Sequence, residues 1–279
     1  MKRLFPLLLL CSLTAHALTY TPEDSLRIVR LLEQGQQQKD NPILFYAEQL
    51  KGMPYVAATL EVNPQEELIV NLRQLDCTTL VETALALALT TQQGSTSFDR
   101  YCQNLTKIRY ANGNLDGYPS RNHYFTWWID SNEAQDIVEE ITPPEALRAP
   151  QALDIHYMSA HPAYYPMLKD DTKAQSLIRE HEQATNGRVV NYIPRAKLNQ
   201  SKSSALGFIK DGDILAIVTK KDGLDTSHIG IAKWGTDNRL HLLNASQIHK
   251  RVVLEPMTLY EYMGKHPTQL GIRVIRMKE

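Results

Sequence analysis

Apolar residues between Leu80 and Leu89 recur at helical spacing: Leu80, Ala84, Leu87 and Ala88 make one stripe, and Val81, Leu85 and Leu89 widen it. A helix apolar nearly all round is covered on several sides, so the pattern predicts a central buried helix over 76–91. Upstream, Thr21-Pro22-Glu23-Asp24 combines a capping hydroxyl, a proline at the first helical position and acids near the positive end of the dipole. This start predicts a helix over 21–37, and further helices are predicted over 42–51, 97–110 and 172–185. Between the first two helices and the central one, Gly52 and Pro54 punctuate loop and short extended pieces.

The last third of the chain changes period. Short β-branched or apolar runs at 213–219 (DILAIVT), 228–233 (HIGIAK), 240–245 (LHLLNA), 251–254 and 272–276 alternate with turn signals such as KKDGLD and GTDN. A helix is expected over 257–266 among them. Close strands with short connections predict an antiparallel sheet, and helices followed by strands predict an α+β fold. The middle of the chain carries the polar and aromatic stretch NGNLDGYPSRNHYFTWWIDSN, then a segment dotted with Pro143, Pro144, Pro150, Pro162 and Pro166. It reads as long loops, and loops of that length usually serve binding or function.

Composition adds two restrictions. With 30 Lys+Arg against 31 Asp+Glu the net charge is −1, too little positive charge for a nucleic-acid surface. The opening MKRLFPLLLLCSLTAHA has a positive start, an apolar stretch too short to span a bilayer, and the small-x-small site Ala15-His16-Ala17. Residues 1–17 are therefore expected to be a secretory signal peptide, and the mature chain a soluble, periplasmic or otherwise exported protein with no stable membrane insertion. Residues 18–279 are expected to form one domain, with a helical region over 18–75 and an insertion over 93–205.

Loss of Cys11 with the signal leaves Cys77 and Cys102, which in an oxidising compartment could form a disulfide. The surroundings of Cys77 suggest chemistry instead. It follows Asp76, a good helix cap, and so falls in a first turn whose unpaired N–H groups and partial positive charge favour a thiolate. A nucleophilic cysteine also needs an imidazole. His181, His249 and His266 read as solvated surface, and His156 and His161 stand five apart in a proline-rich loop; neither HExxH nor paired CxxC occurs, so no metal is expected. His228 opens the run HIGIA after a turn-rich loop, and Asn244 lies sixteen residues on, across an expected hairpin. The two can stand side by side, with the amide oxygen fixing the imidazole tautomer. A satisfied strand-end histidine beside a turn-facing asparagine fits the same spacing.

The motifs MPYVAATLE, LDCTTLVE, GDILAI, SHIGIA and LHLLNAS, in that order, resemble the NlpC-type cell-wall cysteine peptidases, a papain-like superfamily. With GYPSRNHYFTWW added, the chain resembles most closely the branch of N-acetylmuramoyl-L-alanine amidases first described as a domain of unknown function. The resemblance implies a papain-like core, a nucleophile helix packed on an antiparallel sheet. It implies Cys77 as nucleophile, His228 as base and Asn244 as orienting residue, with Asn244 at a place where the superfamily often has histidine. Tyr55 resembles the tyrosine lining the site, and Ser227 belongs to the serine-histidine motif. Asp76, Arg121, Asn122, His123 and Tyr124 complete the expected substrate-binding set, and Arg195 is a further possible anion contact. The tryptophans of the aromatic stretch are expected mostly in the core. The implied substrate is peptidoglycan or a muropeptide, handled without cofactor by a monomer. A D,L-endopeptidase cutting after D-glutamate would use the same triad, and a non-catalytic peptidoglycan-binding protein is the alternative from another class.

Overall fold

A computed structural model describes residues 17–38 and 40–279; apart from Ala17, the expected signal peptide lies outside the described residues. The helices are α1 (Pro22–Gly35), α2 (Pro42–Gln49), α3 (Cys77–Gln92), α4 (Phe98–Arg109), α5 (Phe125–Ala134), α6 (Tyr157–Ala160), α7 (Thr172–Thr185) and α8 (Leu259–Gly264). The strands are β1 (Leu18–Thr19), β2 (Leu68–Ile69), β3 (Val138–Ile141), β4 (Ala149–Ala152), β5 (Val189–Pro194), β6 (Ile214–Thr219), β7 (Thr226–Trp234), β8 (Leu240–Ser246), β9 (Arg251–Leu254) and β10 (Gln269–Met277). Among the described residues no helix is long and apolar enough to cross a membrane.

The start of α1 follows from its sequence: the Thr21 hydroxyl accepts the Asp24 N–H, and the Asp24 carboxylate accepts the Thr21 N–H. Such a reciprocal cap satisfies two otherwise orphaned donors. β1 and β2 form a small parallel pair, Leu18 opposite Leu68. The remaining strands make one sheet in the order β4-β5-β10-β6-β7-β8-β9, with β3 also on β10, and every pairing in it is antiparallel.

Both faces of that sheet are covered, which explains the nearly continuous apolar runs of its central strands. Ile214 and Ala216, Ile229 and Ile231, and Leu243 and Ala245 point to the face occupied by α3. Their neighbours Leu215, Ile217, Ala232, Trp234 and Leu242 point to the opposite face, closed by Leu259, Tyr262 and Met263 of α8. From Leu80 to Ala88 every residue of α3 is buried, as its all-round apolar pattern requires.

Two features of the middle segment differ from the loop reading. FTWWIDSN forms α5, and β3, β4 and β5 extend the main sheet. The first residue of α5 has no capping side chain before it; the Thr126 N–H is bonded by the carboxylate of Asp225, 2.7 Å away and 99 residues distant. Local signals could not show a cap supplied by another part of the fold. The expected tryptophan burial is seen, with Trp127 and Trp128 both nearly inaccessible.

Candidate active site

Cys77 is the first residue of α3, and the helix start is built around it. Asp76 caps: its carboxylate accepts the Thr79 N–H at 2.8 Å, and the Thr79 hydroxyl accepts the Asp76 N–H at 2.9 Å. The helix below is held in the core, so its N-terminus is a rigid mount for the thiol. Cys77 is half-buried, and its sulfur lies within reach of the backbone N–H groups of Thr78 and Ile229. Cys77 and Cys102 are both free, which removes the disulfide alternative. Cys102 is buried on α4.

The thiol does not rest as a thiolate. Burial, reinforced by the adjacent Asp76 carboxylate, pushes it up to about 11 despite the backbone N–H groups that favour the anion. This corrects the expectation drawn from the helix dipole: desolvation of the charged form outweighs a terminal partial charge at this position. Asp76→Asn would keep an amide oxygen for the cap and remove the charge. The variant's Cys77 is expected to be alkylated by iodoacetamide at lower pH than the wild type, followed by mass spectrometry at that residue. An unmoved alkylation profile would clear Asp76 of any part in raising the thiol.

His228 lies on β7 and Asn244 on β8. Continued from the Ile231–Leu243 pair, the register makes them diagonal neighbours on one face. His228 Nε2 donates to Asn244 Oδ1 at 3.0 Å, while Asn244 Nδ2 donates to the Leu242 carbonyl at 3.4 Å. The second bond turns the amide oxygen toward the ring. An amide oxygen can only accept, so the proton sits on Nε2 and the lone pair on Nδ1. Burial lowers the His228 pKa below the usual imidazole value, the Asn244 bond acts against that, and the nearby His266 lowers it further. At neutral pH the pair therefore rests as thiol and neutral imidazole.

Cys77 and His228 line one cavity of about 200 Å³. They share no direct hydrogen bond in this conformation; bonds of this kind commonly tighten only in the substrate complex. A larger open cavity of about 780 Å³ lies at the far end of α3, around Thr91, Gln92, Asp213 and Arg276. It contains none of the candidate catalytic groups, and the smaller cavity is taken as the site because the thiol and imidazole meet there.

The other expected site residues divide. Ser227, Asn122, His123 and Tyr124 line the cavity with Cys77 and His228. His123 is held neutral by burial and by the neighbouring Arg121 charge, its pKa pushed down to about 3, and its Nε2 faces the Tyr118 carbonyl at 2.8 Å. Tyr124 borders the cavity with its ring only, because its hydroxyl donates to Glu182 at 2.6 Å and accepts from the Met158 N–H at 3.0 Å. Burial raises the Tyr55 phenol pKa, and the nearby acidic groups Cys77 and Asp76 add to that, which places the ring beside the nucleophile.

Arg121 is a correction. It does not line the cavity: its guanidinium is buried between Glu61, at 2.5 Å, and Glu66, so its hydrogen-bonding face is already taken up by carboxylates. Arg195 is likewise engaged elsewhere, donating to the Tyr260 carbonyl at 3.0 Å and lying over that ring. His181, read as solvated, is exposed at one edge but stacks on Trp127 at 3.7 Å between ring centres. His249 pairs with the buried Glu255 at 3.2 Å, and His266 packs on Tyr262.

The chain pattern alone did not single out Phe125, Trp128, Met158, Tyr165 and Asp225 as cavity walls. Tyr262, whose ring centre is 6.3 Å from that of His228, was also missed. Only Asp225 carried a signal, standing in GLDTSH just before the histidine.

A family model described as AmiA-like, N-acetylmuramoyl-L-alanine amidase-like, matches residues 46–272. A solved N-acetylmuramoyl-L-alanine amidase from Bacteroides uniformis ATCC 8492 is 38% identical with a TM-score of 0.80, the match covering 88% of this chain and 100% of that one. A Bacteroides fragilis structure whose xylanase description is provisional is also 38% identical, with a TM-score of 0.78 and coverage of 84% and 100%. A Legionella pneumophila protein shares the fold at 23% identity, with a TM-score of 0.70 and coverage of 92% and 95%. No curated protein matches.

Proposed function

The chain belongs to the AmiA-like, N-acetylmuramoyl-L-alanine amidase-like family, and on that premise we propose that it cleaves the amide joining the lactyl group of N-acetylmuramic acid to L-alanine. Membership implies an amide hydrolase with a peptidoglycan-type substrate, either the polymer or its muropeptide fragments. The observation that carries the cysteine mechanism is the His228–Asn244 bond of 3.0 Å beside a cavity that Cys77 enters from a helix N-terminus. The same arrangement, a cysteine-bearing helix against an antiparallel sheet that supplies histidine and asparagine, supports a papain-like core of NlpC type. The apolar opening of the chain supports export to the periplasm.

Because the thiol rests protonated, attack and proton transfer go together. His228 Nδ1 takes the Cys77 proton as sulfur adds to the lactyl carbonyl. The N–H of Cys77, in the first turn and without an intrahelical acceptor, is placed to bind the oxyanion. The imidazolium then protonates the departing alanine nitrogen, leaving a thioester, and the neutral imidazole activates water to release it. Asn244 holds the tautomer throughout.

A glycosidase reading is disfavoured by the cavity. Hydrolysis of a glycosidic bond ordinarily needs two carboxyl groups flanking it. Among the described residues Asp225 is the only carboxylate lining the cavity, and it is occupied in capping α5.

Mass spectrometry of products from defined muropeptides tests the assignment. The amidase reading expects free stem peptide beginning with L-alanine. Products keeping L-Ala-D-Glu on the sugar would replace it with the D,L-endopeptidase, and unaltered substrate would leave a binding protein.

The histidine also sets a pH dependence. Its base form is the neutral one and its pKa is lowered, so kcat/KM is expected to hold through neutrality and fall only at pH below about 6.5, the ordinary imidazole value. Asn244→Ala removes the bond that supports the imidazolium. It is expected to lower kcat and move the acid limb to still lower pH. A limb that stays in place, or moves up, would show that Asn244 does not tune His228.

A further inference from the structure

The imidazole of His228 is tied down at one point. Among the described residues its ring makes a single hydrogen bond, from Nε2 to Asn244 at 3.0 Å. Nε2 lies near the Cβ–Cγ axis about which a histidine ring turns, and that torsion is intrinsically broad. The bond therefore sets the tautomer while restraining the tilt of the ring only weakly. A base must do better, because productive sites hold their groups within about 10–20°. Packing is what remains to fix the ring plane and keep Nδ1 aimed at the Cys77 sulfur.

The sheet shows where that packing comes from. His228 stands opposite Ile217 across β6 and β7, and directly opposed residues share a face. Ile217 belongs to the core that Leu259, Tyr262 and Met263 of α8 close. Tyr262 packs beside the imidazole there, with ring centres 6.3 Å apart and planes at 36°. It also packs on His266, with ring centres 4.8 Å apart.

Tyr262 is itself firmly mounted. Thr258 and Glu261 form a reciprocal cap at the start of α8, and the Tyr262 N–H donates to the Thr258 carbonyl at 2.9 Å. Burial pushes its phenol up to about 12, with the nearby acidic groups Glu255 and Cys77 adding to the rise. The ring is therefore neutral at working pH and acts by shape rather than charge. It is not among the residues lining the cavity, so it has no contact with bound substrate there.

We propose that Tyr262 is a positioning residue for the base: its ring backs the imidazole of His228 and keeps Nδ1 turned toward the Cys77 thiol. This rests on the reading of Cys77 and His228 as nucleophile and base of the amidase. Tyr262 acts only through His228.

Two variants and a spectrum test the role. Tyr262→Leu stays apolar but loses the flat ring. It is expected to lower kcat roughly ten-fold, inside the loss of about 10²-fold that a 1 Å misplacement can cause. KM should be unchanged, because no contact with substrate is removed. Tyr262→Phe keeps the ring and should restore most of kcat. Heteronuclear NMR of the histidine rings reads the imidazole directly. His228 should show one tautomer, with its proton on Nε2, in wild type and Tyr262→Phe, and a mixture of both in Tyr262→Leu. A merely structural role would lower the melting temperature without mixing tautomers. Should Tyr262→Leu not fold, Tyr262→Met fills the same space with a flexible chain and carries the same expectations. One tautomer in every variant, or a raised KM with kcat kept, overturns the positioning role and leaves the amidase standing. Tautomer mixing in Tyr262→Leu beside a wild type that releases no stem peptide overturns the amidase instead.

Discussion

Cys77→Ala is expected to lower stem-peptide release by about 10⁵-fold, the scale seen when a nucleophile that works as one unit with its base is removed. Among the described residues lining the cavity the thiol is expected to form the acyl intermediate, because it is more acidic and more nucleophilic than the hydroxyls of Thr78, Thr226 and Ser227 beside it. The fold should barely respond. Cys77 is half-buried at a helix end, the core of α3 begins at Thr79 and Leu80, and Asp76 keeps the cap. Alanine is also a strong helix former. Cys77→Ser is expected to be nearly as inactive, since a hydroxyl is harder to deprotonate than a thiol already pushed to about 11. Product analysis by liquid chromatography and mass spectrometry, with thermal melts as the control, decides the point. Activity of Cys77→Ala within tenfold of wild type, on folded protein, would refute the mechanism.

Arg109→Met is expected to be the most damaging single change to stability, at about 3–5 kcal/mol. Arg109 and Glu82 are both almost fully buried; the guanidinium donates to the carboxylate at 2.7 Å and to the Ile69 carbonyl at 2.8 Å. One side chain thus ties α4 to α3 and β2. Removing it strands the Glu82 charge in the core, where burial already raises its pKa and Arg109 is the main group holding it down. The loss is a large part of a typical stability of about 5–15 kcal/mol. Glu82→Gln together with Arg109→Met should recover part of it, because no buried charge is then left unpaired. Urea melts of both single variants and the double settle it. A double variant no more stable than Arg109→Met would mean that packing, not the stranded charge, sets the cost.

Much of the site's framework was legible locally. The all-round apolar run foretold the burial of α3, Asp76 foretold its cap, and the alternating runs with GTDN between them set His228 and Asn244 on adjacent strands. These depend on neighbours within a few residues or on one hairpin, where spacing and geometry are coupled. The arginine of the aromatic stretch was misplaced because nothing near it shows that Glu61 and Glu66, sixty and fifty-five residues away, already pair with it. The helix FTWWIDSN was missed because its cap arrives from Asp225.

The sequence by itself determined which residues could do the chemistry and where the helices outside the middle segment and the strands of the last third begin, because capping, periodicity and turn preference act over a few residues. Only the tertiary structure decided what those residues are chemically. Burial turned the expected thiolate into a thiol, made His123 a neutral wall, and committed Arg121 and Tyr124 to partners inside the protein. The reason is desolvation: the energy of a charge depends on how much water and which partners surround it, and those are set by segments far apart in the chain.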